Sequence, residues 1–166
     1  TFCENLHALK KLHEVQKVGV SIYTGEDINK VLDVVLPDII QLPMNILDTK
    51  LLRTGVLSVL KEKNVEIHAR SVFLKGLFYF SENKIVDRFP QLQAKLKKLN
   101  SLAESQGLTL PELSLLYVIS QPEVDKAVIG LENESQLEAH FTTLAKTFDA
   151  SISQEVLDIE FEDETV

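Results

Sequence analysis

The chain is 166 residues long, 45% hydrophobic and 25% charged, with a formal net charge of −8 and a pI near 5.0. This is one domain's worth of ordinary globular composition, long enough to bury a core, and its acidity argues against nucleic acid or anionic membrane as partners, since both need positive counter-charge. Cys3 is the sole cysteine, which excludes an intrachain disulfide framework and a thiolate metal site and makes a reducing, cytoplasmic setting the default expectation.

In chain order, Leu6, Leu9, Leu12 and Val15 recur at helical spacing, so a helix is expected ahead of the first strand. Lys17 to Tyr23 (KVGVSIY) then alternates Val18, Val20 and Ile22 as a strand does. Thr24 is placed to cap a helix with an apolar stripe of Ile28, Val31, Leu32 and Val35, which Pro37 ends. Asp38 to Asn45 (DIIQLPMN) reads as the second strand, and its unbroken apolar start suits burial on both faces. Residues 31–47 are the densest apolar stretch, but Asp33, Pro37, Asp38 and Pro43 interrupt it, so nothing is expected to span a bilayer.

Leu51, Leu52, Val56, Leu57 and Leu60 mark the next helix, closing on Lys61 and Lys63. Val65 to Val72 (VEIHARSV) is the third strand. A longer excursion follows: Leu92, Leu96, Leu99 and Leu102 on one helix, Gly107 as its C-cap, then Leu113, Leu116 and Ile119 on a second. The run Lys95, Lys97, Lys98 reads as a solvated helix face. Lys126 to Leu131 is the fourth strand, and Leu137, Phe141, Leu144 and Phe148 define an amphipathic helix after it. Residues 153–166, with the acidic stretch Glu160 to Glu164, read as a frayed tail. The chain opens at Thr1 inside a helical pattern, with no signal peptide and Met44 as its only methionine, and so reads as a piece of a longer protein.

Strands alternating with helices predict an α/β fold with a parallel sheet and right-handed crossovers. An open doubly wound sheet and a partial (β/α)₈ barrel both satisfy that pattern. A full barrel takes about 250 residues, so four βα units are about half of one. Metal and hydrolase chemistry find no footing. His7, His13, His68 and His140 lack ligand spacing with carboxylates or Cys3, and neither Ser21 nor Ser71 sits in a Gly-x-Ser-x-Gly elbow. His68, alternating with Arg70, reads as a hydrogen-bonded structural histidine of a barrel interior. The most informative stretch is 127–140, where an apolar strand stops at Gly130 and Glu132, Asn133 and Ser135 lead into a helix. Such a turn aims backbone N–H groups at whatever lies above the strand, as a phosphate site requires.

Four segments in register, KVGVSIY, DIIQLPMNILD, EIHARSVFLKGL and AVIGLENESQLEAH, resemble the C-terminal half of the aldo-keto reductase family, especially bacterial members related to aryl-alcohol dehydrogenases. The resemblance runs from about Leu12 to Leu144 and implies a TIM barrel of which this chain, as a single domain, supplies strands five to eight with their helices. It implies an oxidoreductase that reduces aldehydes or ketones with NADP or NAD, its site at the C-terminal strand ends. Ser21 and Gln41 match residues that hold the nicotinamide carboxamide, while Ile22 replaces an Asn of that clamp. Arg70 stands where many members stack an aromatic ring on the nicotinamide, and a guanidinium can stack as well. Ser71, Phe73, Leu74 and Gly76 match the loop that wraps the pyrophosphate, with Lys75 adding charge; a plain βα turn is the alternative. Gly130, Glu132, Asn133, Gln136, Ala139 and His140 fall where the adenosine is held, though His140 replaces an Asn and also reads as a surface-helix histidine.

Glu132, Glu134 and Glu138 occupy the region where NADPH-specific members carry Arg or Lys, so a free 2′-OH fits better than a 2′-phosphate. Asn45 reads as a turn residue. The family's acid–base group, a Tyr supported by Asp, Lys and His, belongs to the first four strands, and Tyr23, Tyr79 and Tyr117 match none of its positions. This chain alone is therefore expected to be inactive and, with an uncovered barrel wall, to self-associate. A non-catalytic half-barrel acting as a binding or interaction module is the second reading.

Overall fold

The computed structural model describes residue 8 and residues 15–161. The helix expected around Leu6, Leu9 and Leu12 lies outside the described residues, as do Cys3, His7 and His13. Four strands, β1 (Gly19–Ser21), β2 (Ile39–Pro43), β3 (Glu66–Arg70) and β4 (Lys126–Ala127), form one sheet in sequential order, every pair parallel. Helix α1 (Gly25–Leu32) follows β1; α2 (Lys50–Arg53) and α3 (Val56–Glu62) follow β2. The excursion after β3 carries α4 (Glu82–Arg88), α5 (Gln93–Ser105) and α6 (Leu110–Ile119); α7 (Glu134–Leu144) follows β4, and α8 (Ser153–Phe161) comes last. A doubly wound sheet reverses its strand order in the middle. This one does not, so the arrangement is an arc of barrel wall.

Local chemistry sets the element ends. Thr24 and Asp27 form a capping box at the start of α1, and Thr109 and Glu112 form another at α6. The helix expected over 51–60 breaks at Gly55, whose left-handed backbone (φ +70°) separates α2 from α3. Gly107 closes α5 in the same region (φ +65°). Gly19 serves a close approach instead: a Cβ there would lie 2.4 Å from the Ile39 carbonyl oxygen. Strands β1 and β4 are shorter than expected because each pairs on one side only among the described residues, so the ladder lapses sooner.

Alternation along β2 and β3 sorts the side chains. Ile40, Leu42, Ile67 and Ala69 are fully buried beneath the helices, with Leu96, Leu99, Leu113 and Tyr117 packed into the same core. The opposite, concave face carries Ile39, Gln41, His68 and Arg70, all half-buried, so β2 is not buried on both faces as its apolar start suggested. Ser21, Gln41, His68 and Lys126 share one level across the four strands.

Three expectations give way to packing. Residues 153–161 do not fray: α8 buries Val156 and packs against α5. Lys95 is buried rather than part of a solvated face, unlike its exposed neighbours Lys97 and Lys98. Helix α7 is amphipathic in the opposite sense to a core helix. Leu137, Phe141 and Leu144 are exposed, Phe141 at 65%, and its buried face is His140 and Thr143. That face packs toward α6, whereas the apolar stripe looks away from it.

At the other end of the concave face, Glu66 accepts from Lys126 Nζ at 2.7 Å, from Lys17, and pairs with His68 Nε2 at 2.8 Å. Hydrogen bonds from Lys126, Lys17 and His68 hold its carboxyl well below the usual carboxylate range. A depressed folded-state pKa means stability that is present above the ordinary value of 4.5 and lost as the pH falls from there toward the folded value. Glu66→Gln is expected to flatten the acid limb of Tm against pH between about pH 5 and 3. Thermal melts across that range check it, and an acid limb identical to wild type would contradict it. Among the described residues no helix is long and apolar enough to cross a membrane.

Candidate functional site

The C-terminal end of β3 runs into a loop of unusual backbone. Ser71, Leu74, Lys75 and Gly76 all have positive φ (61°, 46°, 55° and 84°). For the three residues with side chains this conformation costs about 1–3 kcal/mol each, and it persists only where the surroundings over-determine it. They do so here. Within the loop, Leu74 N–H donates to Ser71 O and Gly76 N–H to Phe73 O, both at 2.9 Å. From outside, the buried Asn45 donates Nδ2–H to Ser71 O at 3.3 Å, its Oδ1 meanwhile holding the turn at Leu47. From α6, the buried Ser114 hydroxyl donates to Val72 O at 2.6 Å. Ser114→Ala leaves that buried carbonyl unpaired and is expected to cost about 1–3 kcal/mol. Urea unfolding checks the cost, and a loss below about 0.5 kcal/mol would mean the loop holds itself.

Two adjoining cavities border this loop. One, of about 520 Å³, is lined by Ser71, Phe73, Lys75 and Gly76 on one side and by Gly130, Glu132 and Gln136 on the other. The second, of about 590 Å³, continues between the loop, α5, α6 and α7, with Asn100, Thr109, Glu112, Ala139 and His140 among its walls. Phe73, Tyr79, Phe80 and Gln136 line both. His140 is not a surface histidine: it is 7% exposed and stacks on Phe73, ring centroids 5.0 Å apart and planes 9° from parallel. Burial pushes its pKa below the usual 6.5, so the ring is neutral at pH 7. Tyr79 meets the same Phe73 ring edge-on at 5.2 Å. Burial raises the Glu112 pKa, but hydrogen bonds from Lys146 (2.7 Å) and Thr109 outweigh it and keep the carboxyl ionised.

At the start of α7, Asn133 is the N-cap. Its Oδ1 accepts from Gln136 N–H at 3.0 Å and from Ser135 Oγ at 2.7 Å, and Gln136 Oε1 accepts from Glu132 N–H at 2.9 Å. Helix start and strand exit are thus tied together. Glu132, Glu134 and Glu138 are all exposed, and of these Glu132 alone lines either of these two cavities.

Ser21, Gln41 and Arg70 lie apart from these cavities on the concave side, Ser21 and Arg70 at the C-terminal ends of β1 and β3 and Gln41 at the middle of β2. Ser21 and Gln41 are register partners, and the Gln41 backbone oxygen accepts from Ile22 N–H at 2.9 Å. The Gln41 carboxamide makes no side-chain hydrogen bond among the described residues. Ile22, at the place of the family's Asn, buries its side chain in the core. Arg70 donates to Ser71 Oγ and to Ile22 O, both at 3.2 Å, and its guanidinium carbon sits 4.4 Å from the Tyr23 ring centroid.

The structure therefore gathers Ser71, Phe73, Gly76, Gly130, Glu132, Gln136 and His140 around the two cavities and places Ser21, Gln41 and Arg70 on the concave face of the sheet. Leu74 and Asn133 join neither group: Leu74 packs on the core and Asn133 caps. Sequence reasoning missed Tyr79, Phe80, Thr109 and Ser114 as parts of the site, and Tyr23 as the partner of Arg70. Only the aromatic residue directly after KVGVSI was a signal for Tyr23; nothing local marked Ser114. Among the described residues no three His, Cys, Asp or Glu side chains gather as a metal site would require.

Solved structures share this fold. A holo aldo-keto reductase from Bacillus halodurans superposes with a TM-score of 0.75 at 19% identity, over 95% of this chain and 54% of that one. A glycerol dehydrogenase from Gluconobacter oxydans does so with 0.70 at 20% identity, over 94% and 53%. A thermostable aldo-keto reductase solved with the inhibitor epalrestat gives 0.71 at 16% identity, over 96% and 55%. The chain thus spans about half the length of each, and likeness at such identities speaks for the fold alone. The sequence profile of the aldo/keto reductase family, however, matches residues 1–159. With this match over nearly its whole length and four parallel strands in barrel order, the chain belongs to the aldo/keto reductase family.

Proposed function

We propose that this chain is the cofactor-binding, C-terminal half of a nicotinamide-dependent carbonyl reductase. The observation that carries the reading is the pair of cavities joined through Phe73, Tyr79, Phe80 and Gln136, running from the Ser71–Gly76 loop to α7. Their volumes suit the parts of a dinucleotide. The pyrophosphate would lie against the loop, where Gly76 lets backbone come close and Lys75 adds charge. The adenosine would take the larger cavity beside His140 and Gln136, and the nicotinamide would reach Ser21, Gln41 and Arg70. The Gln41 carboxamide and the buried, neutral His140 fit such a ligand, because both carry polar atoms without a hydrogen-bond partner among the described residues. When bound, the cofactor supplies hydride to an aldehyde or ketone. The proton donor is assigned to the other half of the barrel.

Glu132 beside the ribose would favour a free 2′-OH, so NADH should bind at least as well as NADPH. The exposed stripe of Leu137, Phe141 and Leu144, with Val34 and Leu36 exposed beyond α1, supports self-association of the chain on its own.

Fluorescence titration with NADH and NADPH, an aldehyde turnover assay and light scattering test these points on the complete protein and on this chain. The complete protein is expected to bind cofactor and turn over. The chain alone is expected to bind weakly, since only part of the site is preorganised, to show no turnover and to scatter as an oligomer. Turnover by the chain alone would overturn the division of labour, and a complete protein that binds cofactor without turnover would favour the binding-module reading.

A further inference from the structure

Tyr23 and Arg70 pair away from the two cavities. Tyr23 is 71% exposed at the end of β1, a position where a large aromatic ring gains little from burial. Its ring nonetheless covers one face of a guanidinium that starts on β3, 47 residues later in the chain and across β2. Arg70 is then fixed at two further points, Ile22 O and Ser71 Oγ. Those bonds engage two of its five N–H donors. Ile22, whose carbonyl Arg70 binds, follows Ser21 in the chain and donates its N–H to the Gln41 carbonyl. A long arginine side chain left to itself samples many rotamers, and ordering it on binding would cost affinity.

We propose that Tyr23 is a positioning residue. Its ring face holds the Arg70 guanidinium across the ends of β1 and β3, so that Arg70, Ser21 and Gln41 present one prearranged polar surface to the nicotinamide end of the cofactor. The inference rests on the placement of the nicotinamide proposed above. It assigns the work to the ring face and not to the hydroxyl, which makes no hydrogen bond among the described residues. It also gives a chain with Ile22 at the place of the family's Asn a donor at that residue's backbone: Arg70 is drawn to the Ile22 carbonyl.

The test compares Tyr23→Leu with Tyr23→Phe in the full-length protein, titrating NADH and, separately, AMP, which lacks the nicotinamide end. Tyr23→Leu is expected to weaken NADH about three- to tenfold, the range of a partly desolvated cation–π contact. Tyr23→Phe, which keeps the ring, is expected to stay within about twofold of wild type. AMP affinity is expected to be the same in all three proteins. NADH binding that is unchanged or tighter in Tyr23→Leu would overturn the proposal, and so would equal losses for NADH and AMP, the mark of general damage. A wild-type protein that binds AMP but gains nothing from the nicotinamide half would instead overturn the placement on which the inference rests.

Discussion

Truncating Ile67 to alanine is expected to destabilise the fold by about 3 kcal/mol and to lower Tm by about 6–12 °C. Ile67 is fully buried at the middle of β3, paired with Ile40 of β2 in the longest strand pairing of the sheet and flanked by the backbone that reaches β4. Its side chain points under the helices, where the core is continuous from Leu57 and Leu60 to Leu113 and Val118. Removing three carbons there forfeits their transfer free energy and leaves a void that a close-packed interior cannot refill. Two backbone anchors flanking the site keep the strand from shifting inward: Ile67 N–H donates to Asp125 Oδ2 at 2.7 Å and its carbonyl accepts from Asp125 N–H at 2.9 Å. Val128→Ala, at an exposed position past the end of β4, is the control and should stay within about 0.5 kcal/mol of wild type. Chemical denaturation of both variants measures the difference. A loss below about 1 kcal/mol at Ile67 would mean that the sheet is not the stabilising layer described above.

Glu132→Arg is expected to swing the ratio of NADPH to NADH affinity by about 30-fold toward NADPH. Glu132 is exposed, lines the cavity bounded by Gly130 and Gln136, and has its backbone N–H fixed by Gln136 Oε1. Its carboxylate would therefore face the ribose from an anchored backbone. A 2′-phosphate meets repulsion there, whereas a guanidinium offers paired N–H donors of the right shape for phosphate oxygens. Glu138, exposed on α7 and lining neither cavity, separates contact from general field. Glu138→Arg makes the same change of net charge and should move the ratio less than about threefold, by an amount that shrinks with added salt. Cofactor titration of the full-length variants reads both. Equal shifts in the two variants would remove Glu132 from the site.

Much of this was legible in the chain itself. Periodicity located all four strands and, with five predicted helices of which one splits into α2 and α3, six of the eight α-helices given ranges above, because alternation and helical spacing are read within a few residues. Thr24 and Gly107 marked ends correctly because caps act on their nearest neighbours, whereas α1 stops at Leu32, short of Val35 and of the end expected at Pro37. Helices α4 and α8 went unseen. Residues 82–88 carry mostly polar side chains around Ile85, and the acidic tail masked Ile152 and Val156, which gain their helix from packing against α5.

By itself, then, the sequence determined the order of strands and helices, the barrel reading over a doubly wound one once the family motifs were weighed, and which segments meet at the strand ends. These follow from short-range pattern and from motifs on single loops. Tertiary structure alone decided that α7 turns His140 and Thr143 inward and leaves Leu137, Phe141 and Leu144 outside, since a helix's buried face depends on which neighbour covers it and not on which face is more apolar. It decided that Ser114 and Asn45 hold the strained loop, from 42 and 26 residues away. And it decided that Arg70 lies against Tyr23 and Ile22, 48 residues from the carbonyl it binds, because parallel pairing through β2 carries the two strand ends to one edge of the sheet.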